Sequence, residues 1–124
     1  MNALEGKRIL IVEDEFLIAM TARDMLEEYG AIVIGPANTV TEALELANRE
    51  QIDIALLDVN LHGHSSAPVA DALEARQVPV VFATGYARGP GKDSAGRCVL
   101  GKPYTQEKLV MQLSQALEAK SADA

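Results

Sequence analysis

The sequence predicts one α/β domain in which helices cover both faces of a parallel sheet. Short apolar runs alternate along the 124 residues with segments whose apolar residues recur at helical spacing. The runs are apolar throughout, which is typical of strands that are buried on both faces. Because connections between parallel strands are right-handed, few topologies fit. We expect the flavodoxin-like (βα)5 three-layer sandwich with a parallel five-stranded sheet of order 2-1-3-4-5.

Five apolar runs are predicted to form the strands of this sheet. They occupy residues 7–12 (KRILIV), 31–35 (AIVIG), 52–57 (IDIALL), 79–83 (PVVFA) and 97–100 (RCVL). A helix is expected after each of them, so that the order of elements is βαβαβαβαβα.

Three of the predicted helices have clear start signals. Thr39 and Glu42 form a capping box at the start of the second helix. Ser66 and Pro68 mark the start of the third helix, since proline is favoured in the first helical turn. Thr105 is placed to cap the last helix.

Residues 86–96 differ from the rest of the chain. The segment (YARGPGKDSAG) is rich in glycine and proline and has no apolar periodicity. We therefore expect any helix here to be short or mobile, and the segment to move more than its neighbours.

Composition limits the classes of function. We expect residues 1–124 to form one domain with a core at about 7–119 and short disordered tails. The net charge of −7 argues against binding to nucleic acid or to an anionic membrane. Cys98 is the only cysteine, so the chain can form no internal disulfide. No signal peptide or membrane-spanning run is visible, and a cytoplasmic location is expected.

Polar residues follow four of the predicted strands. They are Glu13, Asp14 and Glu15 after the first strand, Asp58 after the third, Thr84 after the fourth and Lys102 after the fifth. In open parallel sheets, ligands bind beyond the carboxyl ends of the strands, at the switch in strand order. The sequence therefore predicts a functional site at this edge of the sheet.

The acidic residues at this edge indicate a divalent cation. Converging carboxylates repel one another unless their pKa values rise or a cation binds between them. Mg²⁺ prefers hard oxygen ligands and commonly uses one or two carboxylates. We expect Glu13, Asp14 and Asp58 to hold Mg²⁺, with the backbone carbonyl of Asn60 as a further ligand.

The remaining polar residues suggest phosphoryl transfer to a carboxylate. Asp58 is the expected nucleophile, and the Lys102 ammonium would neutralise charge on the transferring group. The Thr84 hydroxyl would donate to a phosphoryl oxygen and then move its loop, while Gly85 leaves space for the incoming group. The chain is not expected to be a conventional enzyme, although it would catalyse its own phosphorylation and dephosphorylation.

Four motifs resemble those of the response-regulator receiver domain. They are ILIVEDE at 9–15, ALLDVNL at 55–61, FATGY at 82–86 and GKPYT at 101–105. One such motif would be weak evidence, but all four occur in the order and spacing of the family and span nearly the whole chain. The FATGY stretch is similar to that of a subgroup of stand-alone receivers typical of alphaproteobacteria, which often serve stress-response phosphorelays.

The resemblance implies roles and partners. It implies that Asp58 is the phospho-acceptor, that Glu13 and Asp14 are the acidic pair, and that Thr84 and Lys102 are the switch hydroxyl and the lysine of the family. It also implies a sensor histidine kinase or a histidine phosphotransfer protein as donor. The output would be a changed surface for an unknown downstream protein, formed by the fourth helix, fifth strand and fifth helix, and the chain would be a monomer or weak homodimer.

Two positions depart from the family pattern. Many receivers carry an aromatic residue three positions before the lysine, and this chain has Val99 there. Tyr86 is a candidate substitute in the switch. The turn after the acceptor often has the sequence Met-Pro-Gly, where this chain has 61–63 (LHG), so that the loop geometry is expected to differ.

Two other classes of function remain as alternatives. A Mg²⁺-dependent phosphohydrolase with an aspartyl nucleophile usually needs an acid two residues later, where this chain has Asn60. A flavin or nucleotide module would need a phosphate-binding loop after the first strand, where this chain is acidic. His62 and His64 are expected to be exposed loop residues rather than a metal-binding pair.

Overall fold

The computed structural model describes residues 2–85, 91–92 and 98–123. The helices are α1 (Phe16–Glu28), α2 (Val40–Arg49), α3 (Ala67–Ala75) and α4 (Gln106–Asp123). The strands are β1 (Arg8–Val12), β2 (Ile32–Ala37), β3 (Ile54–Asp58), β4 (Asn60–Leu61), β5 (His64–Ser65), β6 (Val80–Thr84), β7 (Gly91–Lys92) and β8 (Cys98–Gly101). Helix α4 corresponds to the fifth helix of the sequence prediction. Within the described residues, no helix has both the length and the apolar character needed to cross a bilayer.

The main sheet confirms the predicted topology. Its order is β2-β1-β3-β6-β8-β7, and β2, β1, β3, β6 and β8 are parallel neighbours. In the order of the five predicted strands this is 2-1-3-4-5. The boundaries differ from the predicted ones by one or two residues at most ends, which is the usual uncertainty of such assignments.

A sixth strand at the edge of the sheet corrects one prediction. Gly91 and Lys92 form the two-residue strand β7, antiparallel to β8, where a short or mobile helix was expected. The free backbone groups of an edge strand pair readily with a neighbouring extended segment, and this segment is too rich in glycine to favour a helix. The prediction that residues 86–96 are mobile otherwise falls outside the described residues.

Strand β2 continues past its predicted end. Gly35 lies in the left-handed region (φ +95°), and a Cβ there would lie 2.8 Å from the backbone nitrogen of Ala37. Glycine is therefore required at this bend. The register between β1 and β2 shifts at this point, and the strand resumes pairing at Ala37. The Ala37 carbonyl then accepts the N–H of Glu13 (2.9 Å), which helps to fix the start of the site.

The core lies on both faces of the sheet. In β1, Leu10 and Val12 pack with α2 and α3, whereas Ile9 and Ile11 pack with α1 and α4. Strand β3 is divided between the two faces in the same way, and these side chains are almost completely buried. This arrangement explains why the strands are apolar at every position.

Two of the predicted helix caps are confirmed. The Thr39 hydroxyl oxygen accepts the N–H of Glu42 (3.1 Å), and the Glu42 carboxylate accepts the N–H of Asn38 (3.1 Å). The Thr105 hydroxyl oxygen accepts the N–H of Lys108 (3.2 Å). Pro68 lies in the first turn of α3, as expected.

The segment after Asp58 forms a hairpin instead of an irregular loop. Strands β4 and β5 pair in antiparallel fashion, joined only by His62 and Gly63. Both residues have positive φ angles, 51° and 82°. This is the geometry of a two-residue hairpin turn, which the sequence analysis missed because histidine is not a usual residue at its first position.

Candidate functional site

The site lies at the carboxyl edge of the parallel sheet. Glu13 follows β1, Asp58 ends β3, Thr84 ends β6 and Lys102 follows β8. The N–H of Lys102 donates to the Thr84 carbonyl (2.8 Å), which continues the pairing of β6 and β8 up to the site. The fold therefore brings together residues that are widely separated in the sequence.

Three carboxylates converge at this edge. Glu13, Asp14 and Asp58 each present an oxygen atom, and these atoms lie within 4.8 Å of one another. Glu13 and Asp58 are only 5% and 9% exposed. The described part of the chain thus contains the acidic cluster that the sequence predicts, set between β1 and β3.

Lys102 is the cationic partner of this cluster. Its Nζ lies 2.8 Å from Glu13 Oε1 and 3.2 Å from Asp58 Oδ2, and its side chain is 11% exposed. Burial alone would lower the pKa of Lys102, but its hydrogen bonds and charge interactions with Glu13 and Asp58 raise the pKa above the usual range. The ammonium group therefore stays charged at neutral pH.

The two acids after β1 have opposite electrostatic behaviour. Burial raises the pKa of Glu13 to about 7, and the neighbouring Asp58 contributes to the rise. The hydrogen bond from Lys102 lowers the pKa, but by less than these two effects raise it. Burial would also raise the pKa of Asp14, but hydrogen bonds, beginning with the N–H of His62, hold that pKa below its usual value. At neutral pH Asp14 is thus ionised, while Glu13 is partly protonated.

We expect Glu13→Gln to stabilise the metal-free protein at high pH. Because the folded-state pKa of Glu13 lies above its ordinary value of 4.5, the folded state binds the proton more tightly than the unfolded state. This contribution to stability is lost as the pH rises from about 4.5 to about 7. In EDTA, urea unfolding at pH 8 should show a gain of about 2 kcal/mol for the variant, with a smaller gain near pH 5. The exposed Glu15→Gln is the control, and the same pH profile for both variants would contradict the assignment.

A cavity of about 730 Å³ opens from the acidic cluster along α1. Asp14, Asp58, Thr84 and Lys102 line one part of it. The rest of the wall comes from α1 and from the segment that follows Lys102, and its main members are Leu17, Ile18, Thr21, Met25, Pro103 and Tyr104. Sequence reasoning missed this apolar wall, because helical spacing does not show which side chains border a cavity.

Tyr104 also lies close to the charged groups. Burial raises its pKa to about 12, and the negative charge of Glu13 contributes to the shift. The hydroxyl group therefore stays protonated at physiological pH. Its position directly after Lys102-Pro103 is the only sequence signal that could have placed it in the site.

The residues expected to act in switching are only partly described. Thr84 is half-buried at the end of β6 and lines the cavity. Val99 pairs with Phe82 in the sheet and packs against the core, in the position where the family often has an aromatic ring. Tyr86 lies outside the described residues. His62 is exposed and lies beside Asp14, and His64 is exposed in β5.

The chain that contains this acidic cluster and its lysine matches a known protein family. Residues 9–114 match the family model described as the response regulator receiver domain. The chain therefore belongs to the response-regulator receiver domain family. Receiver domains are signalling domains of two-component response regulators rather than conventional enzymes.

Individual relatives support the same assignment. The chain is similar to the phyllosphere-induced regulator PhyR of Methylorubrum extorquens, with 37% identity over 88% of this chain and 43% of that protein. It is also similar to the transcriptional regulatory protein PdtaR of Mycobacterium tuberculosis, with 28% identity over 94% of this chain and 59% of that protein. The chain thus spans about half the length of these curated relatives.

Solved structures match over the whole domain. The solution structure of SdrG from Sphingomonas melonis Fr1 has 46% identity and a TM-score of 0.77, and covers 95% of this chain and 99% of that chain. The CheY-like receiver domain protein from Methanospirillum hungatei has a TM-score of 0.81 at 25% identity, with 97% and 100% covered. Receiver domains bind Mg²⁺ at an acidic cluster and take phosphoryl groups from kinases or phosphotransfer proteins. The narrower FATGY subgroup stays a prediction.

Proposed function

We propose that this chain accepts a phosphoryl group on Asp58 from a sensor histidine kinase or a histidine phosphotransfer protein. The single observation that carries the proposal is the arrangement around Asp58. Its carboxylate lies 3.2 Å from the Lys102 Nζ and within 4.8 Å of oxygen atoms of Glu13 and Asp14. A nucleophilic carboxylate, a fixed cation and two further acids are the groups that this transfer requires.

The donor set fits Mg²⁺. The three carboxylates carry three negative charges when ionised, and Lys102 supplies one positive charge, which leaves a deficit of two. A divalent ion compensates this deficit, and oxygen ligands of this kind suit Mg²⁺. We propose that Glu13, Asp14, Asp58 and the Asn60 carbonyl hold it. When bound, the ion would neutralise charge on the phosphoryl oxygens.

The transfer itself is a displacement at phosphorus. An oxygen of Asp58 forms the new O–P bond while the N–P bond of the phosphohistidine breaks, and the electron pair stays on the imidazole nitrogen, which takes up a proton. Lys102 is placed to keep its hydrogen bond to the reacting carboxylate and to pair with the incoming oxygens. The Asn60 N–H, which donates to Asp58 Oδ1 (3.3 Å), orients the carboxylate.

Thr84 is the proposed link from phosphorylation to the partner surface. It ends β6, and its carbonyl accepts the N–H of Lys102. A hydroxyl drawn to a phosphoryl oxygen would move the end of β6 and the chain that follows it. With Val99 in place of an aromatic ring, Tyr86 is the proposed second member of this switch. The proposed downstream partner is a protein that binds differently to the phosphorylated and unphosphorylated positions of this segment.

The apolar residues at the start of α1 are the proposed docking face for the phosphodonor. Phe16 and Leu17 are 72% and 78% exposed. Leu17 also lines the cavity that contains Asp58. Exposed apolar groups beside a reactive centre indicate contact with another protein, and a donor must approach Asp58 from this side.

We expect Phe16→Asp to separate the two kinds of phosphodonor, because Phe16 is exposed at the start of α1 but does not line the cavity that contains Asp58. Transfer from a phosphorylated histidine protein should slow at least about tenfold, because the charge would be buried in the contact. Phosphorylation by acetyl phosphate, which needs no docking face, should be unchanged. Met111→Asp is the matched control, since Met111 is also an exposed apolar residue, 46% exposed on α4. Equal rates of protein-to-protein transfer for both variants would exclude α1 as the docking face.

Two further proposals concern the domain organisation of the protein and its location in the cell. We propose that residues 1–124 work as a single stand-alone domain, monomeric or weakly dimeric, which is supported by the nearly complete match in both directions with the SdrG chain. We also propose a cytoplasmic location, where the free Cys98 would stay reduced. Immunoblots of cell fractions would show the size and location directly.

Dependence on a divalent ion is the direct test of the proposed chemistry. With Mg²⁺ and acetyl phosphate, intact mass spectrometry should show one added phosphoryl group. EDTA should suppress the addition, and excess Mg²⁺ should restore it, because the acidic cluster otherwise repels the incoming anion. Full phosphorylation in EDTA would contradict the proposal that an ion takes part.

A further inference from the structure

We propose that the turn formed by His62 and Gly63 positions Asp14 for the cation, and that it acts through the backbone N–H of His62. This inference rests on the proposed metal site and adds a positioning residue to it. The turn belongs to the hairpin of β4 and β5 (residues 60–65), which the sequence did not predict. Nothing in the proposed phosphoryl transfer otherwise requires a hairpin in this loop.

The contact between the turn and Asp14 is made by the backbone. The His62 N–H donates to Asp14 Oδ2 at 2.9 Å, across 48 positions of the sequence. The imidazole Nδ1 of His62 is 3.9 Å from the same oxygen, and that side chain is 59% exposed. The backbone hydrogen bond is therefore the shorter interaction, and the exposed imidazole ring contributes little to the position of Asp14.

The conformation of the turn makes this N–H available. His62 and Gly63 have φ angles of 51° and 82°, and they connect Leu61 directly to its cross-strand partner His64. In such a turn the closing hydrogen bonds join the flanking residues, so that the N–H of the first turn residue is not used within the hairpin. The left-handed conformation of both residues directs this free N–H at Asp14.

Both ends of the hairpin are anchored. Leu61 and Ser66 are only 1% and 0% exposed. The backbone N–H and the hydroxyl group of Ser66 both donate to the Val59 carbonyl, at 3.0 and 3.1 Å. These contacts hold the turn next to the end of β3, and they fix the position of the His62 N–H relative to Asp58.

One hairpin thus contacts two of the three carboxylates. Asn60 donates to Asp58 Oδ1, and His62 donates to Asp14 Oδ2. With Oδ2 held in this way, the Asp14 carboxylate keeps an orientation in which an oxygen atom lies within 4.8 Å of oxygen atoms of Glu13 and Asp58. Hydrogen bonds to ligating carboxylates commonly tune the affinity of a metal site in this way.

The test compares three variants of the turn. His62→Val places a β-branched residue at a left-handed position, which disfavours the turn. Gly63→Ala strains the same turn from its second position, where an added Cβ meets no atom within 4 Å, so that any effect comes from the backbone conformation. His62→Asn is the matched control, because asparagine favours this conformation and keeps the N–H while it removes the imidazole.

The readout is Mg²⁺ affinity by titration calorimetry, with amide NMR spectra to check that the sheet stays folded. We expect about tenfold weaker binding for His62→Val and Gly63→Ala, and binding within about twofold of the unchanged protein for His62→Asn. Thermal stability without Mg²⁺ should fall modestly in the two strained variants, because a left-handed conformation costs a residue with a Cβ about 1–2 kcal/mol, and should change little in His62→Asn. If one strained variant fails to fold, the other decides.

Two results would overturn the inference. Unchanged Mg²⁺ affinity in the folded strained variants would show that the turn does not position Asp14. An equal loss in His62→Asn would show that the imidazole, and not the N–H, is responsible. Failure of the unchanged protein to bind Mg²⁺ would instead overturn the proposed metal site itself, so that the two failures are distinguishable.

Discussion

Replacing Asp58 with asparagine is expected to abolish phosphorylation. An amide lacks the negative charge and the nucleophilic oxygen of a carboxylate, and so cannot form a stable acyl phosphate. Asp58 is 9% exposed and lies at the end of β3. Because asparagine has nearly the same shape, the variant should keep the fold. With Mg²⁺ and acetyl phosphate, intact mass spectrometry should show no added phosphoryl group, and Asp58→Ala should give the same result.

The control for this experiment is Asp24→Asn. Asp24 is exposed on α1, away from the acidic cluster. It should be phosphorylated at the same rate as the unchanged protein. A full phosphoryl adduct on Asp58→Asn would place the acceptor at another residue and would remove the basis of the proposed function.

Lys102→Met should slow phosphorylation by about 100-fold, the effect typical of removing one group that stabilises developing charge. Methionine keeps much of the length of the side chain but has no charge. The variant loses the contacts of Nζ with Glu13 (2.8 Å) and Asp58 (3.2 Å). The incoming phosphoryl group would then meet the carboxylates with no fixed ammonium to neutralise it. The measurement is the time course of incorporation from acetyl phosphate at saturating Mg²⁺.

Lys108→Met provides the comparison for Lys102→Met. Lys108 is exposed in the first turn of α4, where its backbone N–H donates to the capping Thr105 hydroxyl. We expect this variant to incorporate phosphoryl at the unchanged rate. If Lys102→Met also kept that rate, Lys102 would be a structural counter-ion only, and the proposed part of Lys102 in the transfer would be wrong.

The sequence was sufficient for the sheet and for the place of the site. Strand β3 is apolar from Ile54 to Leu57 because both of its faces are covered, and this pattern indicates a parallel sheet. The acidic residues after β1 and β3 and the lysine after β8 then had to meet, since parallel strands end at one edge. The parallel sheet and the position of the site both follow from the packing of the core, and core packing can be predicted from the hydrophobic pattern of the sequence.

Features that depend on single backbone angles were not predictable in the same way. The hairpin after Asp58 depends on a positive φ at His62, which residues other than glycine seldom adopt. Strand β7 depends on the free edge of β8 and not on any pattern within Gly91 and Lys92. Leu4 is completely buried although it precedes the first strand. Tertiary contacts decide each of these features, and a local pattern does not show them.

The proposed function depends on a divalent ion that binds between Glu13, Asp14 and Asp58. The most direct measurement is paramagnetic broadening of amide NMR signals by substoichiometric Mn²⁺, which replaces Mg²⁺ at oxygen sites. Signals from residues 13–15 and 58–62 should broaden first, those from Asp53 and Val78 at the opposite edge of the sheet should stay sharp, and Asp14→Asn should weaken the effect. Broadening that is uniform, or that is centred elsewhere on this acidic chain, would contradict the account.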